Sequence, residues 1–221
     1  MKRAVAGGAL ALALLGPWLN AFGDDVLHAQ GDAAYARILS GLSARGRLDD
    51  DRALLDRARA ISARLITAAA RAQPSSRDWS WELHATSDPS VSAFCIAGGK
   101  LLVGSAFVRR LDLSDDQLAM LLAHEMAHAL AGHRRERAPA GGMEDDMAWD
   151  NRQAAIAFAQ ETEADRIGLA LARDAGFPVS GLLGFYDKLV AAEPAGTFSS
   201  SHPSAAKRAE QAREWAAQLA K

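Results

Sequence analysis

The sequence predicts an α+β fold that is mainly helical and carries one small sheet. Three observations lead there. Apolar residues make up 49 % of the chain and much of that share is alanine, the strongest helix former. Aromatic residues reach only 6 %, and strand-like runs of Val, Ile and Tyr are scarce. Strand alternation and tight-turn signals gather in one stretch, between Trp79 and Val103. A length of 221 residues suits one domain with its own core and a short appendage.

The appendage comes first. Lys2 and Arg3 precede an uncharged apolar stretch, Ala4 to Leu15, which Gly16 and Pro17 interrupt before the small residues Ala21 and Gly23. This pattern reads as an export signal spanning residues 1–23, cleaved after Ala21 or Gly23, with residues 24–221 as one mature domain. The expected location is the periplasm or cell envelope. An uncleaved anchor is the alternative, but the stretch falls short of the roughly 20 apolar residues that a spanning helix needs.

The domain then reads as helices around the short sheet. Asp32 to Ala44 places Ala34, Ile38 and Leu42 at helical spacing. Asp49 to Ala72 carries a longer stripe of Leu54, Leu55, Ala58, Ile61, Leu65 and Ile66, with Asp49 to Asp51 suited to its positive N-terminal end. Trp79 to Ala85 alternates as a strand, and Val91 to Ile96 and Lys100 to Val103 follow around Gly98-Gly99, which together predict a small antiparallel sheet. Ser105 to Arg110 is a short helix. Ser114 and Gln117 form a capping box for a helix running to about Ala131, with Gly132 near its end. Residues 134–150 form a charged loop with Pro139, Gly141 and Gly142, and helices follow over 151–175, 181–192 and 203–219.

Composition excludes several functions. The net charge is -2 and no basic block stands out, which argues against nucleic acid. The single cysteine, Cys95, forbids an internal disulfide or a multi-cysteine metal site, and it reads as a small buried residue.

The capped helix carries His124-Glu125-Met126-Ala127-His128. Residues four apart lie one above the other on a helical face, so both imidazoles can reach one zinc ion, with Glu125 beside them as the base for a metal-bound water. A glutamate between two histidines on a helix buried by Leu118, Leu121, Leu122 and Leu130 is costly without such a partner. Zinc needs a third protein ligand. His133 sits five residues on, off the ligand face, and reads as a cap or surface residue. The H-E-x-x-H-x-x-G-x-x-H class is excluded, because Ala131 and Arg134 stand where it needs Gly and His. The next long helix offers Glu161-Thr162-Glu163-Ala164-Asp165. Glu161 and Asp165 lie one turn apart, so Glu161 can bind the metal while Asp165 steadies a ligand imidazole. By spacing alone, Glu163 is the alternative ligand; otherwise it is solvated or paired.

This pair of motifs resembles the H-E-x-x-H and E-x-x-A-D pair of the HtpX-like and CAAX-prenyl-endopeptidase zinc metallopeptidases. Ser92-Ala93-Phe94-Cys95-Ile96-Ala97-Gly98-Gly99-Lys100 is similar to that family's N-A-F-A-x-x-G-G segment, Asp165-Arg166-Ile167-Gly168 continues the second motif, and Ser201-His202-Pro203-Ser204 with Arg208 is similar to its His-Pro segment. The likeness spans roughly residues 78 to 215. It implies a gluzincin fold, one zinc per chain on His124, His128 and Glu161, Glu125 as general base and Asp165 behind a ligand histidine. It further implies His202 near the metal, the alternative being an exposed loop histidine; Arg208 either orients a site carboxylate or forms a surface salt bridge. Ser92 and Cys95 depart from the family pattern, as does the lack of later apolar spans, which places the likeness with short exported bacterial members in envelope quality control. The implied substrates are misfolded or misassembled exported polypeptides, with peripheral contact to the membrane or envelope proteins left open. Gly98 to Val103 is expected to offer peptides an edge strand. The rival reading is a zinc-holding, chaperone-like protein that rarely cuts, with His202 closing the metal.

Overall fold

The computed structural model describes residues 16–133, 146–193 and 204–219. Among them are seven α-helices and one sheet, in the order α1 (Gly16–Ala44), α2 (Arg52–Ala72), a 3-10 turn (Pro74–Asp78), β1 (Glu82–Thr86), β2 (Ala93–Ile96), β3 (Lys100–Gly104), α3 (Ser105–Arg110), α4 (Asp115–Leu130), α5 (Asp146–Asp174), α6 (Val179–Ala192) and α7 (Ala205–Leu219). The mainly helical α+β prediction holds. Three helices start earlier than their periodicity indicates: α1 at Gly16 rather than Asp32, α5 at Asp146 rather than Asn151, and α6 at Val179 rather than Gly181. Residues 146–150 of the predicted loop belong to α5; its remainder, 134–145, lies outside the described residues.

The sheet differs from its prediction in pairing. Its order is β1-β3-β2; β2 runs antiparallel to β3, but β1 runs parallel to it. The β2–β3 hairpin is local and turns on Gly98 and Gly99, both at positive φ (85° and 88°), where a side chain is disfavoured. No hairpin turn dictates where β1 goes. It pairs Glu82 with Lys100 and Thr86 with Gly104, on the side of β3 that β2 leaves free. Lys100 to Gly104 is therefore the central strand, not an edge. The edge nearest the cleft is β2.

Burial follows from that placement. All five residues of β3 are buried. Leu101 and Val103 point into the main core with the stripe of α2, and Leu102 points the other way, against Tyr35 and Leu42 of α1. Thus α1 covers one face of the sheet, and α2 with α4 (Asp115–Leu130) covers the other. Tyr35 Oη donates a hydrogen bond to the Leu101 carbonyl across this seam.

The centre of the molecule is α4. Asp115 and Asp116 favour its N-terminal end, and the capping box is complete: the Ser114 amide donates to Gln117 Oε1 at 2.9 Å, and the Gln117 amide to Ser114 Oγ at 3.4 Å. Leu118, Met120, Leu122 and Met126 are fully buried. The helix packs against α2, α5, α6 and β2, so its one half-open face is fixed by burial of the others.

Candidate active site

That half-open face carries His124 and His128, one turn apart. Their Nε2 atoms lie 3.1 Å from each other. The carboxylate of Glu161, on α5, bridges them, with Oε2 3.4 Å from His124 Nε2 and Oε1 3.4 Å from His128 Nε2. These three side chains are the group of described residues able to hold a metal ion. The geometry fits one: donors bound at ~2.05 Å in a tetrahedral shell stand roughly 3.3 Å apart, and two imidazoles with a carboxylate are a zinc donor set.

Glu161 reaches α4 because α5 crosses it at backbone contact. Glu161, Ala164, Asp165 and Gly168 form one buried stripe of α5 at helical spacing. A Cβ on Gly168 would stand 2.9 Å from the His124 amide nitrogen and 3.0 Å from its Cα. Only glycine permits that approach, and the approach brings the two carboxylates of the stripe to the histidines.

Asp165 is fully buried and sits behind His124, with Oδ1 2.9 Å from Nδ1. The contact is an ion pair at close range; Nδ1 makes no aligned hydrogen bond in this geometry. From α7, Arg208 clamps the same carboxylate twice, Nε to Oδ2 at 2.8 Å and Nη2 to Oδ1 at 2.7 Å. Tyr186 of α6 donates its hydroxyl to Oδ1 at 3.1 Å. The charges order themselves accordingly. Burial opposes a charged Asp165, but His124 and Arg208 outweigh it and hold the carboxyl below the ordinary range. Burial likewise opposes protonation of His124, yet Asp165 and Glu161 push the metal-free imidazole up to about 9. Burial pushes the Tyr186 hydroxyl up, so it stays a donor.

Glu125 and Arg208 line a cavity of about 400 Å³ together with the three donors. Phe94, Phe107, Leu121, Phe185 and Leu189 give it an apolar wall, with Ser92 and Ala93 of the β2 edge alongside. The structure thus brings together His124, Glu125, His128, Glu161, Asp165 and Arg208. His202 lies outside the described residues.

His133 is placed otherwise than its sequence position suggests. It is 4 % exposed, and its Nδ1 is 2.9 Å from His128 Nδ1. Its Nε2 meets Glu163 Oε2 at 3.2 Å, so Glu163 is paired. Helical spacing misleads here because the helix has already ended. A signal was present in Gly132, which turns the chain back. Tyr186 carried no such signal, since only the packing of α6 on α5 brings it to Asp165.

A zinc-type donor set formed by an H-E-x-x-H helix and a glutamate from the next long helix defines a gluzincin metallopeptidase site. The model of peptidase family M48 matches residues 56–159 and 151–216, and the chain belongs to that family. Similar proteins include the mitochondrial metalloendopeptidase OMA1 of Schizosaccharomyces pombe, 32 % identical over 62 % of this chain and 47 % of that protein. Those of Arabidopsis thaliana (29 % identical, 58 % and 30 %) and Saccharomyces cerevisiae (28 % identical, 61 % and 47 %) are also similar. The chain spans about half the length of these relatives, or less. They set the likeness at the level of the family rather than with its HtpX-like or prenyl-protein members.

Proposed function

We propose that the protein is a zinc metalloendopeptidase acting on polypeptides, with one ion held by His124, His128 and Glu161. The observation that carries this reading is the convergence of two Nε2 atoms and one carboxylate at 3.1–3.4 Å inside a cavity that also holds Glu125. When bound, the metal acidifies a water and polarises the scissile carbonyl. Glu125 takes the proton from the attacking water and delivers it to the leaving nitrogen. Asp165 holds the His124 ring, and Arg208 and Tyr186 hold Asp165. The apolar wall accepts a substrate side chain and excludes bulk water. His202 is read, from the likeness of its Ser-His-Pro-Ser segment, as a group that steadies the oxyanion.

The substrates we propose are misfolded or misassembled exported polypeptides. Support comes from the basic and apolar start of the chain, Lys2 to Leu15, read as an export signal ahead of a mature domain over 24–221. The named relatives are mitochondrial endopeptidases, which supports a polypeptide substrate but speaks for a different compartment. Among the described residues no helix is long and apolar enough to cross a membrane.

The test is casein cleavage with metal analysis on the purified protein. Glu125→Gln should keep its zinc and lose cleavage by at least about 100-fold. His124→Ala and Glu161→Gln should lose zinc as well. A Glu125→Gln protein that cleaves as fast as wild type, or a wild type that holds no zinc, would sink the assignment.

A further inference from the structure

We propose that His133 and Glu163 form a relay that fixes the ring orientation and tautomer of His128, which makes His133 a positioning residue for the metal. The inference rests on the metal-site reading above and adds a component to it.

The relay is built by the way α4 ends. Gly132 adopts φ 70°, its amide donates to the Ala129 carbonyl at 3.2 Å, and the His133 amide donates to the His128 carbonyl at 3.1 Å. That pair of bonds is a Schellman motif, and it folds the second residue past the cap onto the third residue before it. An apolar contact usually fills this position. Here two imidazoles fill it, with Nδ1 to Nδ1 at 2.9 Å and ring centroids 5.0 Å apart. Gln160 of α5 pins the turn by donating Nε2 to the His133 carbonyl at 3.0 Å.

The direction of the hydrogen bonds follows from the outer end. A carboxylate only accepts, so Glu163 Oε2 receives the proton of His133 Nε2 at 3.2 Å. A neutral His133 then presents a lone pair at Nδ1. His128 Nδ1 must donate to it, which leaves the lone pair of His128 on Nε2, the atom that faces His124 Nε2 and Glu161. The two ligand histidines are therefore steadied differently. His124 rests directly on buried Asp165, whereas His128 is oriented through a second imidazole that ends on a carboxylate 49 % exposed. Partners of this kind are worth about 10- to 100-fold in metal affinity.

The test measures zinc affinity of the full chain by competition with a chromophoric chelator, and reads tautomers from two-bond ¹H–¹⁵N spectra of the zinc-loaded protein. His133→Phe should bind zinc roughly 10- to 100-fold more weakly. His133→Asn, whose amide oxygen can stand where Nδ1 stands, should recover most of that loss. The spectra should show His128 protonated at Nδ1 and His133 at Nε2. A folded His133→Phe with wild-type affinity overturns the proposal, and so does a His133 protonated at Nδ1 alone. If His133→Phe does not fold, Glu163→Leu at the exposed end decides, and unchanged affinity there overturns it. A wild type that binds no zinc overturns the site reading itself, which separates that failure from a failure of the relay alone.

Discussion

At the scale of single residues, Asp165 gathers three partners behind the metal-site donors. It faces His124 at 2.9 Å, Arg208 at 2.7 and 2.8 Å and Tyr186 at 3.1 Å while fully buried. Removing one partner of a buried charge pair costs roughly 3–5 kcal/mol, because the other charge is left uncompensated. Asp165→Asn should destabilise the metal-free protein by about that amount near pH 6. The pH dependence has a definite sign. The metal-free His124 pKa is raised from 6.5 to about 9, so its contribution is complete below 6.5 and is lost as pH rises through 9. The Asp165 pKa is lowered, so its contribution is present above the ordinary carboxylate range and is lost on acidification. The gap between wild type and Asp165→Asn should be widest between these limits and narrow from pH 6.5 to 9. Urea melts in the presence of a chelator measure it; a gap that stays constant over that window would refute the coupling.

At the scale of elements, legibility follows the range of the interaction. The capping box of α4, the ligand pair within it and the stripe of Glu161 and Asp165 are all patterns inside one helix, and each could be read by counting residues. The parallel partner of β1 could not, because no local turn selects it. Nor could the burial of His133, since helical spacing stops applying after Gly132. The crossing of α4 and α5 lies between these cases. Gly168 was visible as part of a motif, but its purpose needs the second helix. Gly168→Ala places a methyl group 2.9–3.1 Å from backbone atoms of Ala123 and His124, which cannot move aside as a side chain can. The helices must part, at a cost of about 1–3 kcal/mol. Because the same stripe carries Glu161 and Asp165, zinc affinity should fall with stability. Thermal melts and chelator competition on this variant test both, and a variant weakened in stability with unaltered zinc affinity would show that the crossing does not set the site.

For the whole molecule, the metal site is the place where α4, α5 and α7 meet. The stripe of α2, the inner face of the sheet, the buried leucines and methionines of α4 and apolar residues of α5, α6 and α7 form one apolar core. At the site, α5 and α7 add polar ties to that packing: Glu161 and Asp165 come from α5, and Arg208 from α7. Ligand binding to the folded state alone stabilises it by about 4 kcal/mol at a free concentration 1,000 times Kd. For a chain of this size that amounts to roughly 8–16 °C in melting temperature. Stripping the metal should therefore lower the melting temperature by that order without unfolding the protein. The loss should also be uneven: amide exchange should accelerate most in the middle of α5 and in α7, and least in α2 and β3. Exchange measured with and without chelator decides this. A uniform acceleration would mean that the ion stabilises the core as a unit, and no acceleration would mean that apolar packing and the Asp165, Arg208 and Tyr186 cluster hold α5 and α7 in place without the ion.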